Sequence, residues 1–154
     1  TGPMIELLHE KYPEKHYVGL DLTPEMINVA QAKKLSNTEF VVGDSENLPF
    51  PEGSFDAVIC SNSFHHYPNP QAFFNSAYQV LRKGGRLVLR DYTSSDLMVW
   101  LMNHLEMPLA NLFGHGDVRI RKPAEFTAMA EKAGFTVLTM EKQKGFRAHL
   151  VARK

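Results

Sequence analysis

The segment Tyr17–Met26 combines an apolar run, an acid and the start of a helix, and its acid, Asp21, is a candidate ligand-binding residue. In an open parallel α/β sheet, ligands bind in the crevice outside the carboxyl ends of the strands, where an acid can accept hydrogen bonds from both hydroxyls of a ribose. The run before Asp21 predicts a buried strand. Thr23 is expected to cap the following helix with its hydroxyl, and Pro24 suits the first helical position because its missing N–H would have no partner there. The segment therefore predicts a nucleotide-type binding edge at Asp21.

Two adjacent histidines, His65 and His66, follow the third predicted strand at the mouth of the crevice. Imidazole titrates near neutral pH, so either side chain is a candidate to take a proton from an attacking oxygen or nitrogen. The alternative, favoured on general grounds, is that both are loop residues that cap backbone groups or pack on a ligand. Asp91 ends the fourth predicted strand, where it either orients a substrate or is a capping or solvated acid before Ser94.

Three further features each have a functional and a simpler interpretation. His115, between two glycines, either belongs to a lid over a substrate or forms an ordinary turn. The apolar side chains from Met98 to Met107 cover almost the whole circumference of their predicted helix. They either pack in the core, which is the favoured interpretation, or also shape a substrate pocket. Cys60 lies in a predicted buried strand and is interpreted as a small apolar residue.

Strand and helix patterns alternate along most of the chain, which predicts a doubly wound, mostly parallel α/β sheet. The last two predicted strands, 135–143 and 146–153, are joined by a tight turn, and such a turn connects only antiparallel strands. Gly84 and Gly134 are expected to end helices in the left-handed conformation. The predicted helices span 4–12, 24–34, 69–84, 94–106 and 123–133, and the other predicted strands span 17–21, 40–44, 55–61 and 86–91.

The composition favours a single domain with a small partner. The chain has 154 residues, enough to bury a substantial core, and its 17 basic and 17 acidic residues give a formal net charge of zero. This balance favours a small molecule over a nucleic acid or a membrane surface. A single cysteine and seven scattered histidines give no metal-ligand pattern. With no signal peptide and no long apolar run in the sequence, we expect a cytoplasmic protein.

In their order and spacing, five segments together resemble a class I methyltransferase dependent on S-adenosylmethionine, of the small-molecule type often described as type 11. Each segment alone is a weak signal, and the resemblance rests on their order and on the terminal hairpin. It covers nearly the whole chain and says little about the substrate. The matching segments are Thr1–Gly2, Val18–Met26, Val42–Phe50, Phe55–Val58 through His65–His66, and Val80–Leu87.

The resemblance implies a Rossmann-like fold and methyl transfer from S-adenosylmethionine to a small-molecule acceptor. By position, it assigns the ribose hydroxyls to Asp21, the faces of the adenine to Leu22 and Met26, and the adenine amino group to Asp44. These assignments agree with the chemistry of acceptor oxygens beside apolar side chains. The remaining implied cofactor-binding residues are Gly2 in the glycine-rich loop, Ser45 through its backbone, and Asn62 beside the methionine portion.

One departure from the family concerns its first strand, which precedes Thr1 and is absent from this sequence together with most of the glycine loop. That strand normally lies in the middle of the sheet, so we expect an N-terminally incomplete domain, with a strand from another chain as the alternative. Two other functions stay open. One is a catalytically inactive nucleotide-binding or regulatory module of the same fold. The other is a nicotinamide-dependent oxidoreductase, which also places an acid after its second strand but usually lacks the terminal hairpin.

Overall fold

A computed structural model describes residues 2–106 and 119–154 of the chain. The chain divides into two compact units, residues 1–49 and 50–154. The described strands form two sheets, a two-stranded sheet in the first unit and a four-stranded sheet in the second. His115 and Met107 lie outside the described residues, so the two interpretations of His115 stay predictions.

The first unit is a parallel strand pair flanked by helices. β1 and β2 run parallel, with Tyr17 opposite Thr38 at one end and Asp21 opposite Val42 at the other. This confirms the predicted strand–helix–strand arrangement. In chain order the elements are α1 (Pro3–Lys11), β1 (Tyr17–Asp21), α2 (Pro24–Gln31), β2 (Thr38–Val42) and a 3-10 turn (Ser45–Asn47).

Strand β1 is half-buried along its whole length, although the sequence predicted a buried strand. In the described residues it pairs only with β2, so its second edge has no ladder partner. Packing is nevertheless close at one position. A Cβ added at Gly19 would lie 2.5 Å from the ring of Phe40 and 2.9 Å from the side chain of Ile5. Glycine at this position therefore allows the side chains of α1 and β2 to approach the β1 backbone.

Helix α2 differs from the prediction in its N-terminal cap and in its C-terminal end. Pro24 lies in its first turn as expected, but the side chain of Thr23 makes no cap hydrogen bond. The Thr23 N–H instead donates to the carboxylate of Asp21, which turns the chain from β1 into the helix. The helix ends at Gln31, three residues before the predicted end at residue 34, and its last turn contains no basic residue.

The second unit contains a mixed sheet in the order β3-β4-β6-β5. β3 and β4 are parallel, whereas β6 is antiparallel to both β4 and β5. The predicted α/β fold class with an antiparallel C-terminal hairpin is confirmed, and the sheet of this unit is mixed, with one parallel and two antiparallel pairings. The elements are β3 (Phe55–Ser61), a 3-10 turn (Phe64–His66), α3 (Pro70–Val80), β4 (Leu81–Tyr92), α4 (Asp96–Leu101), a π-helical turn (Met102–Glu106), α5 (Pro123–Lys132), β5 (Thr136–Gln143) and β6 (Arg147–Arg153).

The core of the second unit lies on the face of the sheet that α3 and α5 cover. α3 begins as predicted, because the side chain of Asn69 accepts a hydrogen bond from the N–H of Ala72 and Pro70 follows the cap. α5 ends as predicted before Gly134, which has a φ of 102°. Fully buried side chains that fill this core include Phe64, Phe74, Phe126, Leu87, Leu89 and Leu150.

Helix α3 ends four residues earlier than predicted. It stops at Val80, and the fully buried Leu81 already belongs to β4. Gly84 does have a positive φ of 81°, but it lies within β4, where the register against β3 shifts, and its N–H donates to the carbonyl of Lys154. Burial of Leu81 in the sheet thus ends the helix before the glycine is reached.

Two surfaces of the second unit are more exposed than the sequence indicated. Ile59 of β3 is 44% exposed, so this strand is not covered on both faces in the described residues. On α4, Met98 and Trp100 are exposed and Val99 is buried, which shows that the predicted core packing of this helix is wrong for its outer side chains. Among the helices of the described ranges, none is long and apolar enough to cross a membrane.

Candidate functional site

Asp21 lies at the carboxyl end of β1 and keeps one oxygen available. Its Oδ1 accepts a hydrogen bond from the N–H of Thr23 at 2.9 Å. This bond closes the turn between β1 and α2 and fixes the direction of the carboxylate. No described residue donates a hydrogen bond to Oδ2. The local fold therefore holds the carboxylate while leaving an acceptor atom for a ligand.

Asp44 repeats this arrangement at the carboxyl end of β2. Its Oδ1 accepts a hydrogen bond from the N–H of Glu46 at 2.8 Å and caps the 3-10 turn that begins at Ser45. No described residue donates a hydrogen bond to its Oδ2. The N–H of Gly43 donates to the carbonyl of Asp21 at 3.0 Å, which ties the two strand ends together. Two acids with free oxygens thus lie at one edge of the parallel pair.

Apolar side chains accompany these acids in the first unit. Leu22 and Met26, which follow Asp21 along the chain, are 71% and 42% exposed. Gly2 has a left-handed φ of 69° and caps α1. Free carboxylate oxygens suit hydroxyl and amino donors, and exposed apolar side chains suit the faces of a base. The residues of the first unit therefore fit an adenosine group.

Asn62 belongs to the second unit, directly after β3. Its φ is 56°, a left-handed conformation that asparagine tolerates better than most residues. Its N–H donates to the carbonyl of Arg90 at 2.9 Å, and its side chain is exposed. The chain therefore leaves the strand sharply at Asn62, and the next residues turn back toward the end of β4.

This turn brings His65 to Asp91. The Nδ1 of His65 lies 2.6 Å from Oδ1 of Asp91, and the backbone N–H of His65 donates to Oδ2 at 3.0 Å. Oδ1 also accepts the N–H of Tyr92 at 2.6 Å. The side chain of Asp91 is 1% exposed and that of His65 is 12% exposed. The sequence-based interpretation of Asp91 as a helix-capping or solvated acid is therefore wrong; Ser95 caps α4 instead.

The other ring nitrogen of His65, Nε2, has no hydrogen-bond partner among the described residues. Every hydrogen bond of its ring within the described residues involves Nδ1, and none involves Nε2. The side chain of His65 as a whole is 12% exposed. Because an ionised carboxylate only accepts hydrogen bonds, this contact favours a proton on Nδ1.

His66 has a different environment from its neighbour. Its ring centroid lies 4.1 Å from that of His65, and no described side chain holds either of its ring nitrogens. Burial lowers the pKa of His66 below its usual 6.5, and the positive charge of a protonated His65 lowers it further. The neutral form of His66 is thus favoured, but nothing in the described residues orients its ring through a hydrogen bond.

Cys60 lies beneath this turn in a small polar cluster. Its Sγ is 3.3 Å from Oγ of Ser63, which in turn lies 3.1 Å from Oη of Tyr67. Burial raises the pKa of the Cys60 thiol to about 11. A thiol with this pKa is not a nucleophile near neutral pH, which agrees with its interpretation as a small apolar residue. Within the ranges that the structure describes, no group of His, Cys, Asp and Glu side chains is arranged to hold a metal ion.

Sequence reasoning singled out His65 and Asp91 separately and did not pair them. The signal for the pair is the parallel register of β3 and β4, in which Ser61 lies opposite Arg90. In that register, a residue that turns back shortly after β3 meets the end of β4. The turn itself depends on the conformation of Asn62 and the burial of Phe64, which residue spacing does not reveal.

Comparison with known proteins identifies the family. A family model described as a methyltransferase domain matches residues 1–89, which is more than half of the chain. A demethylmenaquinone methyltransferase of Thermotoga maritima is 37% identical over 89 residues, which covers 58% of this chain and 38% of that protein. A ubiquinone/menaquinone biosynthesis C-methyltransferase of Rhizobium johnstonii is 31% identical over 153 residues, covering 86% of this chain and 59% of that protein. The chain therefore spans less than two thirds of the length of each of these relatives.

Solved structures show the same fold. An S-adenosylmethionine-dependent methyltransferase from Mesorhizobium loti superposes with a TM-score of 0.84 at 16% identity, and the match covers 99% of this chain and 86% of that one. At this low identity the likeness establishes the architecture only. Membership of the family rests instead on the family model that matches residues 1–89. The resemblance inferred from the sequence motifs is confirmed, and this chain belongs to the methyltransferase domain family.

Proposed function

We propose that this protein transfers a methyl group from S-adenosylmethionine to a small-molecule acceptor. The observation that carries the proposal is the pair of strand-end acids, Asp21 and Asp44, each with one carboxylate oxygen free, in a chain of the methyltransferase domain family. The oxidoreductase alternative has no comparable support, since the C-terminal hairpin is present and the family match is to methyltransferases.

In this proposal the first unit binds the adenosine part of the methyl donor. Asp21 accepts the ribose hydroxyls through Oδ2, and Asp44 accepts the adenine amino group. The exposed side chains of Leu22 and Met26 pack on the faces of the base. S-adenosylmethionine supplies an electrophilic methyl group on a sulfonium. Within the first unit, the other residues assigned to the donor are Gly2 and Ser45, and the assignment of Asn62, in the second unit, stays a prediction.

The relatives support a small organic acceptor. Two of them act, by name, on demethylmenaquinone or in ubiquinone and menaquinone biosynthesis. The formal net charge of zero gives this chain no electrostatic preference for nucleic acid. A reduced, buried Cys60 agrees with our further proposal that the protein works in the cytoplasm.

Titration calorimetry with S-adenosylmethionine, S-adenosylhomocysteine and NAD tests the donor site. We expect the first two ligands to bind and NAD not to bind. Asp21→Ala removes hydrogen bonds to a charged acceptor, worth about 1.5–3 kcal/mol, so the affinity for S-adenosylmethionine should fall about 10-fold to 100-fold. Asp56→Ala is a matched control, because Asp56 is an exposed acid that pairs with Arg82 in the second unit.

Each contrary outcome has a distinct meaning. Unchanged affinity in Asp21→Ala, with circular dichroism that shows an intact fold, contradicts the assigned role of this acid. Binding of NAD alone points to the oxidoreductase. Binding of none of the three ligands contradicts the proposed function and favours the inactive module. Incubation with methyl-labelled donor and a metabolite extract, followed by mass spectrometry of labelled products, then tests the transfer itself.

A further inference from the structure

A cavity of about 360 Å³ lies within the second unit, between the chain that follows β4 and the β5–β6 hairpin. The N–H of Thr93 donates to the carbonyl of Phe146 at 2.9 Å, which ties the two walls together. The described lining residues include Thr93, Ser94, Ser95, Lys142, Phe146 and Arg147. Small-molecule sites commonly have volumes of about 300–1,000 Å³, so the cavity is large enough for a small organic ligand.

Phe146 has an unfavourable conformation beside this cavity. It is the last residue of the loop 144–146 between β5 and β6, and its φ is 55°. This loop position commonly takes the left-handed conformation, which glycine or asparagine adopts more easily than a bulky side chain does. Phe146 is also 71% exposed, and its ring makes no aromatic or cation–π contact within the described residues. Neither the turn nor ring packing in the described chain accounts for phenylalanine at this position.

The charged residues that line the cavity are cations. None of the described lining residues is acidic. Lys142 is exposed and makes no hydrogen bond or ion pair within the described residues. The guanidinium of Arg147 is held in place, because its carbon lies 3.6 Å from the centre of the Tyr92 ring and its Nη1 donates to the carbonyl of Gly145 at 3.2 Å. The cavity therefore favours a negatively charged group over a positively charged one.

We propose that this cavity binds a small aromatic molecule that carries one anionic group, a carboxylate or a phosphate. The ring of the ligand packs on Phe146, and its anionic group meets Lys142 and Arg147. This inference goes beyond the proposed methyl transfer and does not depend on it. The acids that carry the proposed donor site, Asp21 and Asp44, belong to the first unit, whereas the cavity lies within the second.

The aromatic part of the ligand follows from Phe146. Backbone strain persists where the surrounding structure or a function maintains it, and it is concentrated at binding sites. An aromatic ligand would cover the exposed ring and gain the offset or edge-to-face contact that aromatic pairs prefer. Glycine or asparagine at the same loop position would satisfy the turn and lose that contact. The strained phenylalanine is therefore explained by a ring that packs against it.

The anionic part of the ligand follows from the hydrogen-bond donors around the cavity. Arg147 presents a planar guanidinium, which matches the geometry of a carboxylate or a phosphate, and Lys142 adds a mobile point charge. The Oγ of Ser95 accepts the N–H of Met98 at 3.4 Å, and its own hydrogen has no acceptor within the described residues. A hydroxyl donates one hydrogen bond, so Ser95 can add a neutral donor to the two cations. Charge-assisted hydrogen bonds of this kind are stronger than neutral ones.

NMR titration of the nitrogen-15-labelled chain tests the site without methyl donor. The probes with both ring and charge are 2-naphthoate and 2-naphthyl phosphate. The probe with a ring alone is 2-naphthalenemethanol, and the probes with charge alone are acetate and inorganic phosphate. We expect saturable shifts at the amides of Thr93, Gly145 and Phe146 with at least one of the first two probes. The other three should bind at least about tenfold more weakly.

Phe146→Asn separates ligand binding from stability. Asparagine tolerates the left-handed conformation, so the variant should melt about 2–4 °C above the wild type. It removes the ring, so its affinity for the probe that binds should fall about tenfold. Leu138→Asn is the matched control, because Leu138 is an exposed apolar residue of β5 that does not line the cavity. Its affinity for the probe should equal that of the wild type.

Lys142→Gln tests the charge. We expect the affinity for the anionic probe to fall about twofold to fivefold, as for an exposed ion pair, with no change for 2-naphthalenemethanol. Added salt should weaken the binding of the anionic probe in the same direction. Lys144→Gln is the matched control, since Lys144 is exposed in the same hairpin loop and does not line the cavity. It should change the affinity by less than twofold.

Contrary outcomes overturn the proposal at identifiable points. Failure of both ring-bearing anions to shift the three amides shows that the cavity does not bind this class of ligand. Equal binding of 2-naphthalenemethanol removes the need for an anion. A Phe146→Asn variant that binds the probe as the wild type does, or that melts below it, contradicts the role given to the strained ring. Equal losses in Lys142→Gln and Lys144→Gln reduce the effect to the general charge of the hairpin and contradict the site.

Discussion

Asp21, Asp44 and Asp91 each lie at or next to the carboxyl end of a described strand, and the structure gives them two different environments. Asp21 and Asp44, in the first unit, each use one oxygen to hold a local turn and leave the other free. Asp91, in the second unit, is 1% exposed, and both of its oxygens accept hydrogen bonds from the chain. In the sequence all three appear as an acid after an apolar run.

The difference teaches that exposure and hydrogen-bond occupancy decide what a strand-end acid can do. An accessible carboxylate with a free oxygen can exchange water for a ligand at little cost. A buried carboxylate must accept its hydrogen bonds from groups of the protein itself, so it can orient another side chain. Asp21 and Asp44 are therefore suited to bind, and Asp91 is suited to orient.

The largest expected effect is on stability at Asp91. Asp91→Ala leaves the N–H groups of His65 and Tyr92 and the His65 ring without their acceptor, so we expect the free energy of unfolding to fall by about 3 kcal/mol. Asp21→Ala removes one exposed turn bond and should cost about 1 kcal/mol or less. Urea unfolding followed by circular dichroism measures both. Equal losses in the two variants would contradict the distinction between the environments.

A smaller effect is expected at Asp44, where one substitution separates its role in capping the turn from its proposed role in binding the adenine amino group. Asp44→Asn keeps an oxygen to cap the turn at Ser45, so stability should change by only a few tenths of a kcal/mol. The amide nitrogen replaces the free carboxylate oxygen and cannot accept a hydrogen bond from an adenine amino group. We therefore expect about a tenfold loss of affinity for S-adenosylmethionine in calorimetry. Wild-type affinity would show that Asp44 serves the turn alone.

The smallest expected effect is on the pH dependence of stability, through His66, which makes no hydrogen bond with Asp91 in the described residues. Burial and the neighbouring charge of His65 lower the pKa of His66 below its usual 6.5. The unfolded chain then binds a proton more readily than the folded one, so stability is full above pH 6.5 and decreases as the pH falls through the folded pKa. His66→Gln should flatten this part of the stability curve. A curve of the same slope in wild type and variant would assign the loss to other groups.

Much of the fold was predictable because its signals are local. Proline directly after the N-cap position marks the starts of α2 and α3, Gly134 ends α5, and the short turn at Gly145 dictates the antiparallel hairpin. The errors occur where long-range burial competes with a local signal. Leu81 is drawn into the sheet before Gly84 can end α3, and Thr23 gives its N–H to Asp21 without using its hydroxyl as a cap.

The residues of the candidate site also divide into those that local sequence signals predict and those that only long-range packing brings together. Asp21 and Asp44 were found from the sequence because an acid after a strand is a feature of consecutive residues. Their roles in donor binding stay predictions. The partnership of His65 with Asp91 spans 26 residues and depends on strand register and on the turn after β3, so no local pattern encodes it.

The sequence by itself determined the order of strands and helices, the acids at the strand ends and the family to which they belong. Only the tertiary structure decided which acids face solvent and which one is buried against a histidine. The physical reason is that a carboxylate has the same chemistry at every strand end, while its exposure and its hydrogen-bond partners are set by residues distant in the chain.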